Sequence, residues 1–215
     1  MDVIWLGGSC LRLQAGNVSI LTDPFDLPPG TGPLTADIVT LSDRTARGRL
    51  QAGGRYRLVD GPGEYEIKGI PITGIATRRQ GADAGPLPAR NVVYTLLADG
   101  VAVCHLGRMN LPPSAQEVQE MGSPDVLIIP VGESTGLPVA QAVALASQLE
   151  ARLLIPVVLG PAEGTGAVER FCRELGSDPS AREPRLQVSS STLPATARVV
   201  LLEPRAPAAA GAPPQ

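Results

Sequence analysis

The sequence predicts a mixed α/β fold: two β-sheets packed face to face, with helices on the outside. Two patterns lead there. The first hundred residues read as short β-favouring runs broken by turn residues, and the second hundred alternate helix and strand. A third observation describes the interior. Hydrophobic residues make up 43% of the chain and aromatics only 3%, so the core must be built from Val, Ile, Leu and Ala. A chain of 215 residues suits one domain.

Residues 3–6, 10–13 and 18–22 are the first strands, separated by Gly7-Gly8 and by a Gly16-Asn17 turn. The stretch from Asp23-Pro24-Phe25 to Gly30 reads as a loop, because proline cannot donate to a ladder. Strands follow at 37–41, 56–60, 65–67 and 70–75. Residues 91–97 and 101–105 flank Asp99-Gly100, the strongest hairpin signal in the chain.

Residues 114–121 read as a helix, with Pro112-Pro113 before it and Gly122 after it. A strand at 126–130 precedes a helix at 138–149, whose apolar positions 139, 142, 143, 145, 146 and 149 have helical spacing. A strand at 153–158, a helix at 166–175 and strands at 186–188 and 198–202 complete the domain, which spans residues 1–203. The Pro/Ala-rich segment 204–215 is expected to be a disordered tail. No internal repeat is visible.

Net charge of -3 and a pI near 5.2 argue against generic nucleic-acid binding. No apolar stretch is long enough to span a membrane, and no signal-peptide pattern opens the chain. Cys10, Cys104 and Cys172 form neither a disulfide framework nor a Cys-x-x-Cys metal clip. A cytoplasmic protein is expected. Lys68 is the only lysine among 18 basic residues, so the positive charge is almost all arginine.

Six ordered segments carry a resemblance: Trp5-Leu6-Gly7-Gly8-Ser9-Cys10; Leu21-Thr22-Asp23-Pro24-Phe25; Asp37-Ile38-Val39-Thr40-Leu41-Ser42; Gly61-Pro62-Gly63-Glu64-Tyr65-Glu66; His105-Leu106-Gly107; and Asp125 to Gly132. Together they resemble the short bacterial branch of the metallo-β-lactamase superfamily, small zinc-dependent hydrolases similar to ascorbate-phosphate lactonases. The resemblance covers residues 1 to about 203. It implies an αββα sandwich with its site at one edge, between the sheets.

The family's ligand residues do not carry over. Where the resemblance implies a His-x-His-x-Asp-His loop, this chain has Asp43, Thr45, Arg47 and Gly48 at the four ligand positions. Arg79 stands for a further histidine, Arg108 for the bridging aspartate and Val158 for the last histidine, while Gly8 replaces a histidine common in the opening motif. The chain holds one histidine, His105. Catalytic zinc takes three protein ligands and an open position. Of the substituted positions only Asp43 ligates well, and arginine charge repels a dication.

The sequence therefore predicts a metal-free, non-catalytic member of the fold with no cofactor, a pseudoenzyme with the metal site lost. The alternative is a metal-dependent hydrolase of lactones, esters or phosphoesters with a degenerate site. Arg47, Arg79 and Arg108 are candidates to grip a small anion. Asp43, Asp23 and Glu64 are candidates to pair with them and leave an inert cluster, the simpler explanation for buried charge.

His105 and Asp43 are read as supporting residues around that site. His105 and the adjacent Cys104 should point to opposite faces of a strand and not form a catalytic pair. No Gly-x-Ser-x-Gly context surrounds Ser9, Ser134 or Ser189-Ser190-Ser191. A regulatory or scaffold role, or a homo-oligomer joined through the apolar 138–149 helix or an edge strand, is compatible with the chain.

Overall fold

A computed structural model describes residues 1–25, 27, 34–80, 89–160 and 166–205. Most of the expected tail lies outside the described residues.

The first sheet is built from β1 (Asp2–Gly7), β2 (Cys10–Ala15), β3 (Val18–Thr22), β5 (Ile38–Thr40), β7 (Arg57–Val59) and β15 (Leu186–Gln187), in the order β15-β1-β2-β3-β5-β7. The first four of these pair antiparallel in succession, and β3, β5 and β7 run parallel. Gly16, at φ +52°, turns β2 into β3, placing Ala15 opposite Val18. The short strands β4 (Leu34–Thr35) and β6 (Ala52–Gly53) pair with each other outside this sheet.

The second sheet is formed by β8 (Gly63–Ile67), β9 (Ile70–Arg79), β10 (Ala89–Ala98), β11 (Val101–His105), β12 (Val126–Pro130), β13 (Leu153–Val157) and β16 (Arg198–Val199), ordered β16-β13-β12-β11-β10-β9-β8. Asp99 and Gly100, both at positive φ, close the β10–β11 hairpin with Ala98 opposite Val101, the mirror-image turn that Asp-Gly favours. The small pair of β14 (Arg182–Glu183) and β17 (Leu201–Leu202) lies beside it. The two C-terminal runs thus separate: residues 186–187 extend the first sheet and 198–199 the second.

Alternation decides the packing. Leu11, Leu13, Ile20 and Ile38 of the first sheet meet Ile72, Tyr94, Val103, Val126 and Ile155 of the second in one aliphatic layer. Each such side chain contributes about 1.5–3 kcal/mol on leaving water. The opposite face of the second sheet, including Val93, Cys104, Leu127 and Leu154, packs against three helices. These are α1 (Ala115–Met121), α2 (Val139–Gln148) and α3 (Gly166–Glu174).

Ser114 caps α1 through a reciprocal pair with Glu117. Helix α2 buries Val139, Ala142, Leu145 and Ala146, so its apolar stripe is spent inside the domain. The first sheet's outer residues, Leu6, Cys10, Leu21 and Val39, are covered, among the described residues, by Leu27, Leu34, Leu50, Ala52 and Tyr56. Among the described residues no helix is long and apolar enough to cross a membrane.

The segment after Ser42, where the resemblance implies a loop, forms a 3-10 helix, Arg44–Arg49. It is only six residues long and lacks a repeating apolar pattern, so its sequence gives no helical period to read. Its organiser is Asp43, whose side chain accepts from the Thr45 amide at the helix start.

Candidate functional site

Parallel strands β3, β5 and β7 end at one edge of the sandwich, where β9 also ends and β10 begins. That edge gathers Asp23, Ser42, Asp43, Asp60, Arg79, Asn91 and Arg108.

Asp23 follows β3 in the left-handed region, at φ +43°. Its buried carboxylate accepts from the Ser42 amide and from the Ser42 hydroxyl, both at 2.6 Å. The Ser42 carbonyl in turn accepts from Val92 N at 2.9 Å, which ties the first sheet to the second at this edge. Tyr94 adds a second tie: its Oη lies 3.0 Å from Leu41 O and 3.1 Å from Val59 O. Burial pushes the Tyr94 phenol upward, keeping it a neutral donor.

Asp43 is the centre of the substituted loop. Oδ1 accepts from the Thr45 amide at 2.9 Å and the Thr45 hydroxyl at 2.6 Å; Oδ2 accepts from Arg79 Nη2 at 2.8 Å. The pair is largely withdrawn from solvent, with side chains 6% and 11% exposed. Burial pushes the Asp43 carboxyl upward. The Thr45 hydroxyl, the Arg79 charge, the Thr45 amide and the Arg108 charge outweigh it, and the net direction is down.

The three arginines take different directions. Arg79 binds Asp43, and Arg108 is near enough to lower the Asp43 pKa. Arg47 turns the other way: its Nε lies 3.1 Å from Asp60 Oδ2, shared with Arg44 at 3.7 Å, and its side chain is 56% exposed. Arg47, on the 3-10 helix, is thus paired with Asp60 just after β7, while Arg79, at the end of β9, is paired with Asp43. Arg108 and Arg49 each lie 5.4 Å from the Phe25 ring centroid, a cation–π distance. Glu64 sits exposed on β8 without joining this group.

The remaining substituted positions are small or apolar. Gly48 has open space around it; a Cβ there would meet no atom within 4 Å. Val158 packs half-buried against the helix-side core.

Asn91 emerges as the residue that organises this edge. Its Nδ2 donates to Thr77 Oγ1 at 2.9 Å and Leu106 O at 3.1 Å, and its Oδ1 accepts from Arg108 N at 2.9 Å. Beside it Gly107, at φ +64°, allows no side chain: a Cβ would come within 2.4 Å of Ser42 Cβ. An Asn inside an apolar strand carries no motif, so only the spacing of Leu106-Gly107-Arg108 hinted at a special turn.

His105 is buried between the sheets with Nε2 3.0 Å from Ser9 O, which assigns Nε2 as the protonated nitrogen. Burial drives its pKa down, against the upward pull of Asp23 and the Ser9 carbonyl. Cys104, next to it, faces the helices instead, and burial pushes its thiol up to about 12. The strand alternation thus separates the two, as expected.

The donors among the described residues fall short of a catalytic metal site. Among the described residues no three of His, Cys, Asp or Glu gather where one cation would be held. Asp43 spends both carboxylate oxygens on Thr45 and Arg79, Asp23 spends both on Ser42, and His105 engages Ser9 through Nε2, leaving its buried Nδ1 as a single open donor that falls short of a ligand set. Zinc requires several such donors facing one point.

A two-sheet sandwich with helices outside and its polar residues at the edge between the sheets defines the metallo-β-lactamase-type fold. The chain belongs to the beta-lactamase superfamily: the family model for the beta-lactamase superfamily domain matches residues 2–158. It is 27% identical over 181 residues to a protein of Methanoculleus marisnigri called a metal-dependent hydrolase, covering 73% of this chain and 80% of that one.

Among solved structures it is similar to a proposed zinc-dependent hydrolase of the metallo-β-lactamase superfamily from Thermotoga maritima. The TM-score is 0.73 at 28% identity, over 94% of this chain and 97% of that one. It shares its fold with a metallo hydrolase from Ignicoccus hospitalis, at TM-score 0.64 and 17% identity over 94% and 95% of the two chains.

Proposed function

We propose that this chain is a metal-independent, non-hydrolytic member of the superfamily, whose former catalytic edge has become a structural ion-pair cluster. The observation that carries this reading is the saturation of Asp43 by Thr45 and Arg79. Asp43 is the one substituted position with a good metal-ligating group, and its oxygens already serve a helix cap and a largely buried arginine. Arg47 on Asp60 extends the same pattern of internal pairing. This arrangement favours a paired remnant over a small anion held by Arg47, Arg79 and Arg108. The role left to such a domain is binding or regulation. A cytoplasmic setting agrees with three free, buried cysteines.

The second reading is a metal-dependent hydrolase of lactones, esters or phosphoesters. It is favoured by the similarity to the Methanoculleus protein called a metal-dependent hydrolase. Assay of purified protein with added zinc or manganese on esters, lactones, phosphodiesters and β-lactams separates the two. The first reading expects no turnover above background. Turnover that disappears in an Asp43→Ala variant of intact fold would establish the second.

A further inference from the structure

At the other end of the strands lies a cavity of about 620 Å³ lined by Asp37, Gly54, Arg55, Tyr56, Arg57 and Lys68. Asp37 immediately precedes β5, whereas Asp43 follows it; Lys68 lies in the turn before β9, whereas Arg79 ends it. At about 3.3 Å per residue, the six steps from Asp37 to Asp43 put the cavity roughly 20 Å from the Asp43–Arg79 pair. Its volume falls in the range of small-molecule sites.

Charge on this wall is unevenly matched. Lys68 Nζ binds Asp37 Oδ1, while Asp37 Oδ2 accepts from Ser19 N at 2.8 Å and Ser19 Oγ at 3.2 Å. Asp37, the one carboxylate among the described lining residues, is therefore fully occupied. Arg55 and Arg57 have no ion-pair partner among the described residues, in contrast to Arg79 and Arg47 at the other edge, which are held by Asp43 and Asp60. Two guanidinium groups, each with a planar fork of donors, are left facing one cavity in a chain whose net charge is -3. That fork matches the oxygens of a phosphate group. Tyr56 packs against the cluster on the first sheet's outer face, so the wall between the two arginines is anchored.

We propose that this cavity binds a phosphate-bearing small molecule, with the phosphate held by Arg55 and Arg57 and Lys68 at its rim. The site is independent of the metal-free reading of the opposite edge. Because the arginines are exposed, binding should weaken as ionic strength rises.

Calorimetric titration with pyrophosphate in low salt tests the assignment on three proteins: wild type, Arg55→Gln/Arg57→Gln, and Arg47→Gln/Arg108→Gln. All substituted residues lie outside the hydrophobic core, and circular dichroism checks the fold of each variant. The proposal expects saturable binding of one pyrophosphate per chain. Affinity should fall at least about tenfold in Arg55→Gln/Arg57→Gln and stay within about twofold in Arg47→Gln/Arg108→Gln. Absence of saturable binding overturns it. So does equal weakening in both variants, which marks a diffuse charge effect, or loss confined to Arg47→Gln/Arg108→Gln, which moves the anion to the other edge.

Discussion

Arg79 donates from Nη2 to Asp43 Oδ2 across 2.8 Å, joining the end of β9 to the residue that caps the 3-10 helix after β5. This bond therefore adds to the ties between the two sheets and fixes the segment that follows β5. Both side chains are nearly buried, so removing one leaves the other charge uncompensated.

The Arg79→Met variant should lose about 3 kcal/mol of unfolding free energy in urea. The Asp43→Asn/Arg79→Met double variant should lose clearly less than the sum of the single losses, because the orphaned charge is gone. Additive losses would mean that the pair does not interact.

Acid should reveal the same bond. The folded-state pKa of Asp43 lies below its ordinary value of 3.8. Its contribution is thus fully present above about pH 4 and is lost as pH falls through the folded pKa. Between pH 5 and pH 3 wild type should lose more stability than Asp43→Asn. Parallel pH curves for the two proteins would contradict this.

His105 makes a second pH window readable, since it is the only histidine in the chain. Burial lowers its folded pKa below 6.5, so below that pH the unfolded chain binds a proton that the folded one refuses. Stability should fall as pH drops from about 6.5 to 5.5, with a slope of at most about 1.4 kcal/mol per pH unit. His105→Gln should flatten that slope. An imidazole signal in the folded protein that titrates near 6.5 would contradict the placement.

Two glycines of the same edge should behave oppositely. Gly107→Ala forces a Cβ to 2.4 Å from Ser42 Cβ at a positive φ and should cost about 3 kcal/mol or more. Gly48→Ala meets open space and should stay within about 0.5 kcal/mol of wild type. Thermal melts of the two variants decide this.

Much of the fold was legible because strands of alternating apolar residues end at turn residues the backbone requires, as at Gly16 and at Asp99-Gly100. The six ordered segments also pointed to the superfamily that the family match establishes. The direction of the site's side chains was not legible. Arg47 and Arg79 occupy equivalent-looking substituted positions, but one sits on a 3-10 helix that turns it to Asp60 and the other on a strand end that turns it to Asp43. Asn91 was missed because its role depends on three partners, Thr77, Leu106 and Arg108, that only the pairing of β9, β10 and the turn after β11 brings together.

Unlike what the names of its metal-dependent relatives suggest, this protein is proposed to hold no metal. Elemental mass spectrometry of the purified protein, paired with melts in chelator and in added zinc or manganese, tests it most directly. The expected result is well under one metal ion per chain and a melting temperature unmoved by either treatment, since a metal bound only by the native state would stabilise it. About one zinc, iron or manganese per chain with a melting temperature that falls in chelator would contradict the account.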